Sequence, residues 1–280
     1  MKLVKIERNG ACAQGFVDGD HVHLAGDWRT GPADTSPFKL SALEKAELDQ
    51  LRAVSRESVA LADATLAVPI DPGARILCVG MNYRDHVSEI KHDVAAFPTI
   101  FTRTQDSLVA HDQPLVKTRI SETYDFEGEI AVVMGRGGAH IAAADALGHV
   151  AGYTCFMDGS VREYQKHSLT AGKNFRHSGA MGPWVVPAAS FGVADPALTT
   201  RLNGAIVQSA HASQMIFGVA DTIAYISRWF DLRPGDVIAT GTPGGVGSRR
   251  EPPLWMKAED RIQVEVEGIG ILANTVIDEH

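Results

Sequence analysis

The sequence predicts an α+β protein, predominantly β, in two parts: a small N-terminal α/β domain over residues 1–70 and a larger domain over 71–280. Three observations predict it. From Ile76 onward the chain is a succession of short apolar segments separated by turn residues. Only one stretch in that part, SQMIFGVADTIAYISRWF (213–230), carries a helical stripe. Strands and helices show no regular alternation, which argues against a doubly wound parallel sheet.

Taken in order, KLVKI and HVHLAG read as short strands, with Gly10, Asp18 and Gly19 at turns. Ser41-Ala-Leu-Glu44 matches a capping box, and Leu40, Leu43, Leu48, Leu51 and Val54 follow at roughly helical spacing. Pro69, Asp71, Pro72 and Gly73 then punctuate the chain and mark the domain boundary before ILCVG. The strand candidates beyond it are PTIFTR, PLVKT, EIAVVMG, VAGYTCFMD, GPWVVP, DVIATG, RIQVEVEG and ILANTVI. In RIQVEVEG, Val264 and Val266 alternate with Glu265 and Glu267, the pattern of a half-buried strand. In 213–230, Ile216, Val219, Ile223 and Ile226 form the apolar stripe.

Composition narrows the function classes. Hydrophobic residues at 45% and charged residues at 21% suit a globular chain with a sizeable core. A net charge of −8 argues against a nucleic-acid partner. Apolar runs such as ILCVGM are too short to span a bilayer, and MKLVKIERNG lacks a signal-peptide h-region, so a cytoplasmic protein without membrane attachment is expected. Cys12, Cys78 and Cys155 are far apart and form no Cys-x-x-Cys pair, so reduced thiols are expected.

The residues able to carry chemistry lie in four places. In DFEGEIAVVMG, Asp125, Glu127 and Glu129 are two apart, so on a continuous strand all three carboxylates leave one face. At roughly 7 Å, neighbours repel by about 0.6 kcal/mol in water and about 2.4 kcal/mol at an effective dielectric of about 20. A solvated row therefore costs little, whereas a buried one needs a cation, and hard oxygen donors favour Mg²⁺, Mn²⁺ or Ca²⁺ over zinc. The segment IAVVM, apolar on both faces, points to burial from Glu129 onward. His86-Val-Ser-Glu89 has i, i+3 spacing, so Glu89 either orients His86 as a base or is a chance surface neighbour. Asp158 ends a strand candidate, Lys173 sits in the Gly-containing stretch TAGKNF, and both positions are also ordinary turn or surface positions. GTPGGVG after DVIAT lacks the Gly-Lys-Ser/Thr ending of a phosphate loop. It reads as a tight loop whose amides or Thr242 touch a substrate. No Gly-x-Ser-x-Gly elbow and no His-Glu-x-x-His occurs, which weakens serine-hydrolase and zincin readings.

From LAVPIDPGARILCVGMNYRDHVSE through DFEGEIAVVMG, DGSVREYQ, AGKNF, MGPWVV, SQMIF and DVIATGTPGGVG to VEVEGIGILANTV, the chain resembles the fumarylacetoacetate hydrolase superfamily. The resemblance runs from about Ala67 to Ile277. It implies a mixed β-sandwich roll as the catalytic core, preceded by the short N-terminal domain found in many members. It implies that Glu127, Glu129 and Asp158 coordinate one Mg²⁺ or Mn²⁺, with Ca²⁺ a third candidate, while Asp125 is not a ligand. It implies that Lys173 contacts the substrate or its developing enolate, with Arg162, Gln165 and Thr242 nearby. His86 and Glu89 match the His–Glu pair on the lid helix of acylpyruvate hydrolases and oxaloacetate decarboxylases, and homodimers are usual. Met157, Glu163, Arg103 and the stretch Arg176–Ser178 depart from residues common among relatives, and none of them removes an implied ligand.

The implied chemistry is a metal-dependent hydrolase that cleaves a C–C bond in an acylpyruvate-type 2-oxo acid through an enolate. Lys173 adds positive charge at the oxyanion, and His86, oriented by Glu89, activates water. Oxaloacetate decarboxylation ranks second and 2-oxo acid hydration or isomerisation third. A non-enzymatic binding protein is the remaining class, and the presence of every implied site residue argues against it.

Overall fold

A computed structural model describes residues 1–30, 57–89 and 93–280, together with 50, 53 and 55. The capping box and leucine-rich stretch expected over 40–54 lie outside the described residues, apart from isolated positions. Two sheets dominate. The larger, 13-stranded, runs Ser58–Ala60, His21–Leu24, Ala11–Asp18, Lys2–Arg8, Gly179–Pro187, Val150–Met157, Gly128–Met134, Val237–Ala239, Ile76–Gly80 and Thr99–Arg103, with three short strands off this path. The smaller runs Leu115–Lys117, Gly270–Asp278, Arg261–Val266, Ala197–Leu202 and Ala205–His211. Pairing is mixed: Val237–Ala239 lies parallel to Ile76–Gly80, and Leu115–Lys117 parallel to Gly270–Asp278.

The sheets form a mixed sandwich, as the resemblance implies. Ile130, Cys155 and Met157 of the large sheet share one apolar cluster with Leu198, Ile262, Val264 and Leu272 of the small one. The strand Gly128–Met134 is buried along its whole length because both of its faces meet apolar partners. Ala131 and Val133 pack with Phe156 and Met181, whereas Val132 and Met134 pack with Ile223 and Ile226 of a helix. Strict alternation fails in EIAVVM for this reason, and succeeds in Arg261–Val266, where only Ile262, Val264 and Val266 are buried.

Two expectations need correction. The helix expected over 213–230 is confined to Val219–Ile226. Gly218 starts it, and the Ile216 amide donates instead to Asn82 O at 2.7 Å, which separates it from the short 3-10 turn Ala212–Gln214 that precedes it. The carboxylate row is also not one strand. Tyr124–Asp125 pairs with Ser160–Val161, and a separate strand begins at Gly128. The break turns Asp125 away from the face that Glu127 and Glu129 serve.

Candidate metal centre and its cavity

The antiparallel register between Gly128–Met134 and Val150–Met157 sets the centre. Gly128 lies opposite Met157, so Glu127 and Asp158 meet where the two strands end, and the Asp158 amide donates to Glu127 O at 2.8 Å. Glu129 enters from the second position of its strand. Ligand atoms of Glu127, Glu129 and Asp158 all lie within 4.8 Å of one another. All three residues are buried, at 6%, 1% and 0% exposure, so a solvated face is not what they form. They are a group able to hold a metal ion.

Three cations surround them, Lys173 and Arg103 buried and Arg162 partly buried. Lys173, whose stretch also allowed an ordinary surface position, ends the short helix Leu169–Lys173 at 2% exposure. Its Nζ donates to Glu127 Oε2 and Asp158 Oδ2, each at 2.5 Å. Burial works to lower its pKa, but Asp158 and Glu127 outweigh it and hold the ammonium charged. Arg162 pairs with Asp125 Oδ2 at 2.8 Å and Glu127 Oε1 at 2.7 Å. Arg103 donates to Asp158 Oδ1 at 2.6 Å and is fixed by the Ser107 and Ser178 hydroxyls. Asp125 is further held by the amides of Gly247 and Ser248 at 2.7 and 2.9 Å. Its place is therefore behind Arg162.

Four buried carboxylates thus share three cations, and Glu129 is the one left without a cationic partner. Its hydrogen bond comes from the Gly241 amide at 2.9 Å. Burial, followed by the neighbouring Asp158 charge, pushes its pKa well above the usual carboxylate range. Glu127, two residues away, moves the other way, because Lys173 and Arg162 outweigh its burial. A buried oxygen donor lacking a counter-charge, beside two further carboxylates, fits a hard divalent cation such as Mg²⁺, Mn²⁺ or Ca²⁺.

The cavity above this floor measures about 520 Å³. His86, Glu127, Glu129, Arg162, Lys173 and Thr242 are among its lining residues, as is Gln165, whose Oε1 accepts from Arg162 at 3.0 Å. His86 lies in the helix Arg84–Glu89, with Nδ1 3.5 Å from Glu89 Oε2. The Gly245 amide donates to both Glu89 oxygens at 3.2 Å. Glu89 is partly buried, which raises its pKa, yet its bonds to His86 and Gly245 bring it below the usual value.

The GTPGGVG loop therefore spends its amides on protein carboxylates: Gly241 on Glu129, Gly245 on Glu89 and Gly247 on Asp125. Gly241 has φ +99°, and a Cβ there would stand 2.7 Å from Asn82 Cβ and 2.9 Å from Val79 O. Only glycine permits that approach. Thr242 lines the cavity while its hydroxyl donates to Gly128 O at 2.9 Å and accepts from Gln208 Nε2 at 2.8 Å.

Sequence reasoning missed two supports. It noted Arg103 only as a departure from relatives, and nothing in TIFTR marks an arginine as buried. Asn82 bonds Thr240 O and both backbone groups of Phe217, which ties the His86 helix to the glycine loop. No motif singles it out.

Residues 75–277 match the family model for the fumarylacetoacetate (FAA) hydrolase C-terminal region. The chain is 39% identical over 245 residues to the human mitochondrial oxaloacetate tautomerase FAHD2A, covering 85% of this chain and 76% of that protein. It is 37% identical over 226 residues to oxaloacetate tautomerase YisK of Bacillus subtilis (strain 168), covering 77% and 74%. Among solved structures, the fumarylacetoacetate hydrolase of psychrophilic Exiguobacterium antarcticum matches with a TM-score of 0.81 at 30% identity, over 100% of both chains. Fumarylpyruvate hydrolase from Pseudomonas aeruginosa, in complex with Mn²⁺ and pyruvate, matches with a TM-score of 0.68 at 31% identity, over 76% of this chain and 91% of that one. Among the described residues, no helix is long and apolar enough to cross a membrane.

Proposed function

The chain belongs to the fumarylacetoacetate hydrolase family, and from that premise we propose an enzyme of enol chemistry on small 2-oxo acids, with keto–enol tautomerisation of oxaloacetate as its leading activity. The observation that carries the reading is one cavity lined both by the buried Glu127 and Glu129 of a cation-deficient carboxylate group and by His86, which Glu89 backs. Similarity to oxaloacetate tautomerases at 36–39% identity supports the choice of substrate.

Glu127, Glu129 and Asp158 would hold a divalent cation, which supplies positive charge for a 2-oxo oxygen as that oxygen gains electron density. Lys173, kept charged by Glu127 and Asp158, adds a donor in the same place. Phe101, with its ring centroid 5.4 Å from Lys173 Nζ, limits water around the ammonium. Tautomerisation moves one proton off the enol oxygen and delivers one to C3. With Nδ1 turned to Glu89, the Nε2 of His86 is the nitrogen left to exchange a proton with substrate. Arg162 and Gln165, bonded to each other, form one wall against which a substrate carboxylate is oriented.

C–C hydrolysis of an acylpyruvate is the second reading. The same His86–Glu89 pair suits activation of water, and likeness to fumarylpyruvate hydrolase supports it. Oxaloacetate decarboxylation needs the floor of the site but no base, and ranks third. The test is to follow loss of enol absorbance from oxaloacetate, and separately pyruvate release from oxaloacetate and from acylpyruvates, each with Mg²⁺ and with Mn²⁺. Enol loss well above the buffer rate, without matching pyruvate release, is expected. Acylpyruvate cleavage with no acceleration of enol loss would replace the first reading by the second. No turnover of any of these acids would remove both.

A further inference from the structure

The cations at the floor of the cavity are already committed to protein carboxylates: Lys173 to Glu127 and Asp158, Arg162 to Asp125 and Glu127, Arg103 to Asp158. Two more cations, Lys166 and Arg249, line the same cavity from exposed positions at its mouth. Among the described residues neither forms an ion pair. The neighbouring Arg250 shows what a structural arginine in this loop does: it donates to Gly245 O at 3.1 Å and Val207 O at 2.6 Å. Arg249 makes no such bond, and its charge reaches the pair at the rim, where it helps to lower the Glu89 pKa.

A chain of net charge −8 repels a dianion on average, so entry of one needs a local field of the opposite sign. Two cations at one cavity mouth, outside any ion pair among the described residues, supply that field. They also complete a division of labour along the cavity: fixed charges at the floor for the reacting end of a substrate, unpaired charges at the mouth for its far end.

We propose that Arg249 and Lys166 bind the second carboxylate of a 2-oxo dicarboxylate, so that the enzyme selects dianionic over monoanionic 2-oxo acids. The inference rests on the 2-oxo acid reading above. The test uses the full chain in Mn²⁺-containing buffer and calorimetric titration with two acids, freshly dissolved oxaloacetate and 2-oxobutanoate. They differ only in a carboxylate replaced by a methyl group. The wild-type chain binds oxaloacetate more tightly, and raising ionic strength narrows the gap. Arg249→Gln and Lys166→Gln each reduce the preference by about fivefold, the range of exposed charge pairs, and the double variant nearly abolishes it. A wild-type chain with no preference, or a preference unchanged in the double variant, overturns the assignment. Failure of the wild-type chain to bind either acid removes the 2-oxo acid reading itself, and this assignment with it.

Discussion

At the floor of the cavity every carboxylate but one is tied to a cation, whereas at its rim the charged groups keep looser partners or none. Asp125, Glu127 and Asp158 are locked by Arg103, Arg162 and Lys173 through bonds of 2.5–2.8 Å. The His86–Glu89 contact is 3.5 Å long, and Lys166 and Arg249 face solvent. The difference teaches which group does what. A floor built of fixed charge suits holding a cation and stabilising a developing oxyanion without reorganising. A rim of looser contacts suits proton exchange and contact with variable parts of a substrate. Substitutions at the two levels should therefore differ in kind as well as in size.

The largest effects belong to the floor. Glu127→Gln and Glu129→Gln should each lower turnover by at least about a thousandfold and weaken Mg²⁺ or Mn²⁺ binding in calorimetry. Their effects on the metal-free fold should be opposite. Glu127 is a counter-charge for Lys173 and Arg162, so its loss destabilises the chain. Glu129 lacks a cationic partner, so the amide in its place stabilises the chain at neutral pH. Urea denaturation in EDTA measures both, and two shifts of the same sign would break the asymmetry drawn between these carboxylates.

Next comes the support of the floor. Arg103→Met leaves Asp158 with one cation in place of two and takes from the Ser107 and Ser178 hydroxyls the donor they accept from. Removing one partner of a buried pair costs about 3–5 kcal/mol, and that loss should appear in denaturation. Arg103→Lys retains charge but not the fork of contacts, and should recover only part of it.

How much of this contrast was legible in the sequence depends on what each feature needs. The apolar runs ILCVG and IAVVM, and the alternation in RIQVEV, encode their own burial, so the main strands could be read directly. The hairpin of Ala197–Leu202 and Ala205–His211 was missed although Asn203-Gly204, at φ 52° and 83°, is a strong two-residue turn signal. The strand Ala11–Asp18 was missed because ACAQGFVD mixes polar and small residues without clear alternation. At the site, motif order identified the carboxylates, His86, Glu89 and Lys173 as candidates. Which cation meets which carboxylate is a property of strand register and of a break at Phe126-Glu127, and no local pattern carries it.

At the rim, His86→Ala should lower turnover by about 10²- to 10⁴-fold, the usual contribution of a positioned acid or base. Metal affinity should change little, since His86 is separate from Glu127, Glu129 and Asp158 in both sequence and support. The variant also separates the activities. Tautomerisation and acylpyruvate hydrolysis should both fall, while decarboxylation of oxaloacetate, which needs no base, should fall far less after subtraction of the free-metal background. Equal losses in all three would mean that floor and rim act as one unit.

The smallest effect sharpens the comparison most, because it tests how loose the rim is. Glu89→Gln keeps an oxygen for the Gly245 amide and for His86 but removes the charge. A 3.5 Å contact is at the limit of a hydrogen bond, and the carboxylate is partly open to solvent. The loss in turnover should therefore be about fivefold or less, the scale of exposed charge pairs. Stability should report the same charge through pH. Glu89 has a folded-state pKa below its unfolded value, so its ionised form stabilises the fold above the ordinary carboxylate pKa. That contribution disappears as pH falls through the lowered folded value. Wild type should thus exceed Glu89→Gln in stability near neutral pH, and the two denaturation curves should converge in acid. A gap that persists or widens in acid would show that Glu89 acts through packing and not through its charge. A turnover loss as large as that of His86→Ala would place Glu89 among the rigid groups of the floor.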